Sequence, residues 1–125
     1  MRLGGLRKPG VWALVATVAV GALVLLPAIA PAATKRITGT CASGTCRWKP
    51  RWQSITKGNR IVWRVPGDGV THTVTAYRAR GSKKWSKNVT LDPGEKTGKV
   101  FRRAGTYRFK CTIHPSTMKG YVKVT

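Results

Sequence analysis

The chain has 125 residues, of which 24 are Lys or Arg and only 3 are Asp or Glu, giving a net charge of +21. That length sets one domain as the expectation and excludes a multi-domain enzyme. Asp68, Asp92 and Glu95 are the only carboxylates, so carboxylate-pair chemistry or an oxygen cage for Ca²⁺ has almost nothing to work with. A basic chain invites a nucleic-acid partner, because Lys and Arg release counterions from phosphate. Charge alone does not establish one, since it speaks to partners and solubility rather than to fold.

Residues 1–33 read as a leader. Arg2, Arg7 and Lys8 form a positive start, and Val11 to Leu26 is apolar except for Thr17 and Gly21. A stretch rich in small residues follows from Pro27 to Ala33. This is the layout of a secretory signal peptide, with cleavage near Ala32 or Ala33. The competing expectation is an uncleaved anchor, because the uncharged run between Lys8 and Lys35 is long enough to span a bilayer. No Cys directly follows the apolar run, which argues against a lipid-anchored form. On either view the chain from Thr34 onward is exported and faces an extracytoplasmic space. Removing Arg2, Arg7 and Lys8 leaves 21 basic residues against the same 3 acids, so the remaining 92 residues carry +18. Export makes nucleic acid an unexpected partner.

From Trp52 on, short β-branched and aromatic stretches alternate with turn signals. Trp52–Thr56 is an expected strand, ended by Lys57-Gly58-Asn59. Arg60–Val65 alternates and meets Pro66-Gly67-Asp68-Gly69. Val70–Tyr77 alternates again, with His72 and Val74 on one side and Thr73 and Thr75 on the other. Arg78–Lys87 is a basic loop, which Trp85 is placed to tack to the core. Asn88–Leu91 reads as a short strand. Asp92-Pro93-Gly94-Glu95 is a turn of type II preference. Lys99–Arg102, Thr106–Cys111 and Lys119–Thr125 complete the expected strands, with a turn at Ala104-Gly105. Thr34–Pro50 reads as a tail or an added strand ahead of the core. The organisation is therefore a leader over 1–33, an N-terminal extension over 34–50 and an all-β domain over 51–125. About six to eight short strands suggest a small Greek-key sandwich or barrel.

The chemistry is concentrated in few residues. Beyond the leader there are two His, three Cys and one Met. Cys111, His114 and Met118 share the segment Cys-Thr-Ile-His-Pro-Ser-Thr-Met, and His72 comes from a separate strand. A thiolate, two imidazoles and a thioether form a soft set suited to copper, the ligand set of blue-copper electron-transfer sites. Cys111 ends one strand, and the following loop can bring His114 and Met118 back to the same point. Cys111 as a catalytic nucleophile with His114 as base lacks an orienting carboxylate or amide, so no enzyme activity is expected. A closed zinc site would call for four strong ligands.

These residues sit in a pattern that resembles the cupredoxins, the plastocyanin, pseudoazurin and amicyanin group. The pattern comprises Gly58-Asn59-Arg60-Ile61-Val62-Trp63, His72-Thr73-Val74 and Leu91-Asp92-Pro93-Gly94-Glu95. It continues with Ala104-Gly105-Thr106-Tyr107, Cys111-x-x-His114-Pro115, Met118 and Lys119-Gly120. The resemblance implies a cupredoxin-like Greek-key β-sandwich holding one type 1 copper ion. It carries over His72, Cys111 and His114 as equatorial ligands and Met118 as the axial one. It also points to Thr73 and Thr112, which follow two ligands, as residues tying the two loops together. Pro115 has no N–H to give to the site and would join an apolar patch around the exposed edge of His114. The sequence departs from the family in one respect: three residues separate His114 from Met118, where closely similar loops have two or four.

Cys41 and Cys46 enclose Ala-Ser-Gly-Thr. In an exported chain a small-loop disulfide is the leading expectation, stabilising only the N-terminal extension. The alternative is a thiol-based copper site, for which the sequence offers no third ligand alongside. The functional expectation is an exported single-electron carrier. A carrier or storage protein delivering copper to an exported oxidase is the alternative, and a basic module on an anionic polymer is a third. The expected partner is an acidic redox protein or the anionic cell envelope, met by a monomer.

Overall fold

The computed structural model describes residues 4, 5, 10, 16, 18, 19 and 21–125. The positive start and much of the apolar run of the expected leader lie outside the described residues. Among the described residues, no helix is long and apolar enough to cross a membrane.

Among the described residues nine strands form in chain order: β1 (Thr34–Ala42), β2 (Thr45–Lys49), β3 (Trp52–Ile55), β4 (Arg60–Arg64), β5 (His72–Tyr77), β6 (Asn88–Leu91), β7 (Lys96–Val100), β8 (Gly105–Lys110) and β9 (Lys119–Val124). They pair into a four-stranded sheet, β2-β1-β4-β7, and a five-stranded sheet, β3-β9-β8-β5-β6. The chain changes sheet repeatedly, and the result is an all-β Greek-key sandwich. β1 pairs with β4 in parallel, and β3 with β9 in parallel; the other pairings are antiparallel.

Period-2 patterning explains which faces meet. In β4, Ile61 and Trp63 are buried while Arg60 and Arg64 are exposed. In β8, Tyr107 and Phe109 are buried, and in β9 Val122 and Val124. Trp63 lies at the centre, edge-on to Phe109 at 5.3 Å between ring centroids and to Phe101 at 6.4 Å. Trp85, from the basic loop, stacks on Trp63 at 6.2 Å. Its Nε1–H donates to the Arg108 carbonyl at 2.8 Å. The loop is thereby tacked to the core, because a half-buried indole finds both an apolar wall and an acceptor. The turn before β7 forms with Gly94 at φ 86° and Glu95 N–H donating to the Asp92 carbonyl at 2.9 Å.

Three expectations shift. Thr34–Pro50 supplies both strands of a hairpin, and its Ile37, Cys46 and Trp48 belong to the core. β1 is an inner strand of its sheet, between β2 and β4. The strand expected over Lys99–Arg102 begins instead at Lys96, because its backbone completes the ladder to β4, from Arg64↔Lys96 to Arg60↔Val100. The strand expected from Val70 begins at His72; Val70 is half exposed, and the Thr71 hydroxyl donates to Asp92 Oδ1 at 2.8 Å.

Candidate metal centre

His72 opens β5 and Cys111 immediately follows β8, adjacent strands of one sheet. The chain then loops through His114 to Met118 and returns as β9. Cys111 N–H donates to the Met118 carbonyl at 2.9 Å and closes the loop at its root. Met118 N–H donates back to the His114 carbonyl at 3.0 Å. A short loop pinned by two backbone bonds offers its side chains few alternative positions, which is the preorganisation a metal site needs.

His72 Nδ1 stands 3.9 Å from Cys111 Sγ, and His114 Nδ1 stands 3.7 Å from the same sulfur. The nitrogens and the thiol lie within 4.8 Å of one another. His72, Cys111 and Met118 are fully buried, while His114 is partly exposed. The His72 pKa is lowered, first by burial and then by the neighbouring His114. A neutral imidazole keeps its lone pair for a metal. Two imidazole nitrogens and one buried thiol this close together fit copper by donor chemistry. Met118 is fully buried at the end of the ligand loop, and its backbone amide and carbonyl belong to the two bonds that close that loop.

Neighbouring groups fix the thiol. The Thr73 N–H donates to Cys111 Sγ at 3.3 Å. The Thr73 and Thr112 hydroxyls are 3.0 Å apart, and Thr112 N–H donates to Thr73 Oγ1 at 2.8 Å. The loops that carry His72 and Cys111 are thus joined through these two threonines. Ile113 and Pro115 are exposed on either side of His114. No charged residue lies between Lys110 and Lys119.

Sequence reasoning missed the wall behind His72. Gly39 on β1 approaches the imidazole so closely that a Cβ there would stand 2.6 Å from His72 Cδ2. Trp48 on β2 meets the same ring at 5.7 Å between centroids. Cys41 and Cys46 form a disulfide, and Cys41 Sγ lies 3.8 Å from His72 Nε2. The disulfide was expected to bear only on the N-terminal extension; it abuts a candidate ligand instead. A glycine in a strand pattern can mark close approach, and Gly39 was the one available sign.

The comparisons agree with this geometry. The family model described as "Copper binding proteins, plastocyanin/azurin family" matches residues 36–125. The chain belongs to that family, whose cofactor is copper. Its fold is similar to that of a purple cupredoxin from Nitrosopumilus maritimus, at 24% identity and a TM-score of 0.59 over 72% of this chain and 98% of that one. It is similar to an oxidised plastocyanin from Dryopteris crassirhizoma, at 20% identity and a TM-score of 0.60 over 73% of this chain and 100% of that one. A reduced amicyanin variant aligns at 22% identity and a TM-score of 0.56 over 78% of this chain and 87% of that one. No curated protein matches the sequence significantly.

Proposed function

We propose that the protein is an exported type 1 copper protein that carries single electrons, in which His72, Cys111, His114 and Met118 would hold the copper. One observation carries this reading: two imidazole nitrogens and a buried thiol converge on one point, from a strand start, a strand end and a loop closed on its own backbone. Bound copper supplies a one-electron couple between Cu(II) and Cu(I). The chain's own part is to hold donors whose positions suit both states, so that little rearrangement accompanies a transfer. β5 and β8 fix His72 and Cys111, Thr73 and Thr112 keep their two loops together, and the Thr73 N–H draws charge from the sulfur. His114 reaches the surface between Ile113 and Pro115 and provides the route by which an electron leaves.

Export is supported by the leader pattern and by the disulfide. The +18 of the chain beyond the leader favours an acidic redox partner, steered toward the uncharged ligand loop by the cations around it. The test is the visible spectrum after addition of Cu(II). A strong blue thiolate-to-copper absorption that is absent in Cys111→Ser is the expected result; copper binding without colour refutes the type 1 assignment. Met118→Leu keeps the colour and shifts the potential, and an unchanged potential removes Met118 from the ligand set.

A further inference from the structure

A second cluster of soft donors shares His72. Cys41 Sγ, Cys46 Sγ and a His72 ring nitrogen lie within 4.8 Å of one another. The imidazole turns Nδ1 toward Cys111 Sγ at 3.9 Å and Nε2 toward Cys41 Sγ at 3.8 Å. His72 therefore stands between two sulfur groups, one at each ring nitrogen. The two sides differ in access: Cys41 is exposed, whereas Cys111 is wholly buried.

We propose that reduction of the Cys41–Cys46 disulfide opens a second soft-metal site, made of two thiolates and His72 Nε2, which binds Cu(I) in the copper-free protein. The sequence alone gave the cysteine pair no third ligand, and the packing of β1 and β2 against β5 supplies it. Two donors about 2.0–2.3 Å from one shared ion stand roughly 3.5–4 Å apart, which the sulfur-to-nitrogen distance of 3.8 Å already satisfies. With the S–S bond broken, the two sulfurs swing apart about their Cα–Cβ bonds to non-bonded separation, while β1 and β2 hold the backbone register on both sides through Thr40↔Arg47 and Ala42↔Thr45.

The chemistry balances with a dithiol reductant. Its two thiols become a disulfide, the S–S bond breaks, and Cys41 and Cys46 each gain a hydrogen. Cu(I) then displaces both thiol protons, forming two Cu–S bonds and one Cu–N bond with no change in the oxidation state of copper. Thiolate and imidazole are ligands that suit Cu(I). A neutral imidazole has one free lone pair, so Nε2 serves the outer site only while Nδ1 keeps its proton, that is, before the inner site is filled. The outer cluster is thus a site of the unloaded protein, one imidazole away from the buried centre. The sharing of His72 rests on its assignment as a ligand of that centre.

The test uses Cys111→Ser, which removes the inner thiolate, titrated with Cu(I) against a colorimetric chelator before and after treatment with a dithiol. One Cu(I) is expected to bind about a hundredfold more tightly after reduction, a gain lost when Cys41→Ser and Cys46→Ser are added. His72→Gln in the reduced protein is expected to weaken binding about tenfold. Equal affinity before and after reduction overturns the site. Tight binding that ignores His72→Gln reduces it to a plain dithiol and overturns the shared ligand. Failure of the inner centre reads out separately: the wild-type protein stays colourless with Cu(II) whatever the reduced variant binds.

Discussion

Replacing Gly39 by Ala puts the closest packing around His72 to the test. The added Cβ would stand 2.6 Å from His72 Cδ2 and 3.0 Å from Trp48 Cζ3, against ordinary contacts that begin near 3.4 Å. The imidazole must yield by about 0.8 Å, or β1 must shift by as much. Overpacking of this kind costs about 1–3 kcal/mol, and in a domain of this size that lowers the melting temperature by about 5–20 °C. The copper-free protein can share the displacement between ring and strand. On the proposed ligand set the loaded protein would also hold the ring at Nδ1, so copper binding would add to the strain. Melting curves of both forms are the assay, and the loaded form is expected to lose several degrees more than the copper-free form. Gly44→Ala is the control: Gly44 has φ +76°, but no atom lies within 4 Å of its Cβ position, so it strains the hairpin tip without touching His72 and lowers both forms alike. Equal losses for the two forms of Gly39→Ala refute the reasoning.

Trp85→Ala removes the stack on Trp63 and the bond to the Arg108 carbonyl. Urea unfolding is expected to show a loss of about 3 kcal/mol, with the visible spectrum unchanged because the loop lies at the end of β5 away from His72. Electron exchange with an anionic complex such as hexacyanoferrate is expected to slow about tenfold when salt is raised from about 10 to 200 mM, and exchange with a cationic complex to speed up. A shared, weak salt response would count against steering by the basic surface. Lys87 has its pKa lowered from 10.5 by burial, then by Lys99 and Arg60. Between its folded and unfolded values the unfolded chain holds more protons, so stability rises with pH through that window and levels off above 10.5. Urea midpoints measured from about pH 8 to 10.5 are expected to show this rise in the wild type and to lack it in Lys87→Met.

The strands with large inward side chains were legible in the sequence. β4, β8 and β9 alternate Ile61 and Trp63, Tyr107 and Phe109, Val122 and Val124 with polar neighbours, and period 2 is visible wherever one face is buried. The candidate ligands were legible because the chain has so few soft donors and four of them, His72, Cys111, His114 and Met118, fall in motif positions. The β1–β2 hairpin was not. Its inward apolar side chains are few, chiefly Ile37 and Trp48, and much of its cohesion comes from backbone pairing on both sides of β1, which no side-chain pattern records. β7 was misplaced for the same reason: Lys96, Thr97, Gly98 and Lys99 show no apolar alternation, and pairing with β4 decides where the strand begins. The closeness of the disulfide to His72 was illegible in principle, since it depends on how the two sheets stack.

The start of β1 has a consequence for how the molecule is tethered. Ala33 N–H donates to Asn59 Oδ1 at 3.0 Å, and Arg60 N–H donates to the Ala33 carbonyl at 2.9 Å. The chain is thus fastened to the sandwich with no slack after residue 32. From Thr34 to Gly39, where β1 reaches His72, five residues of extended strand span about 16 Å. The segment before Thr34 joins the sandwich at the end of β1 away from Gly39 and His72. Were that segment a membrane tether, the sandwich would hang from the end opposite its candidate ligands; were it cleaved, those ligands would lose no neighbour. On the proposed reading, attachment and electron exchange would occupy separate ends, and the fate of the leader would set where the protein diffuses without altering which surface a partner meets.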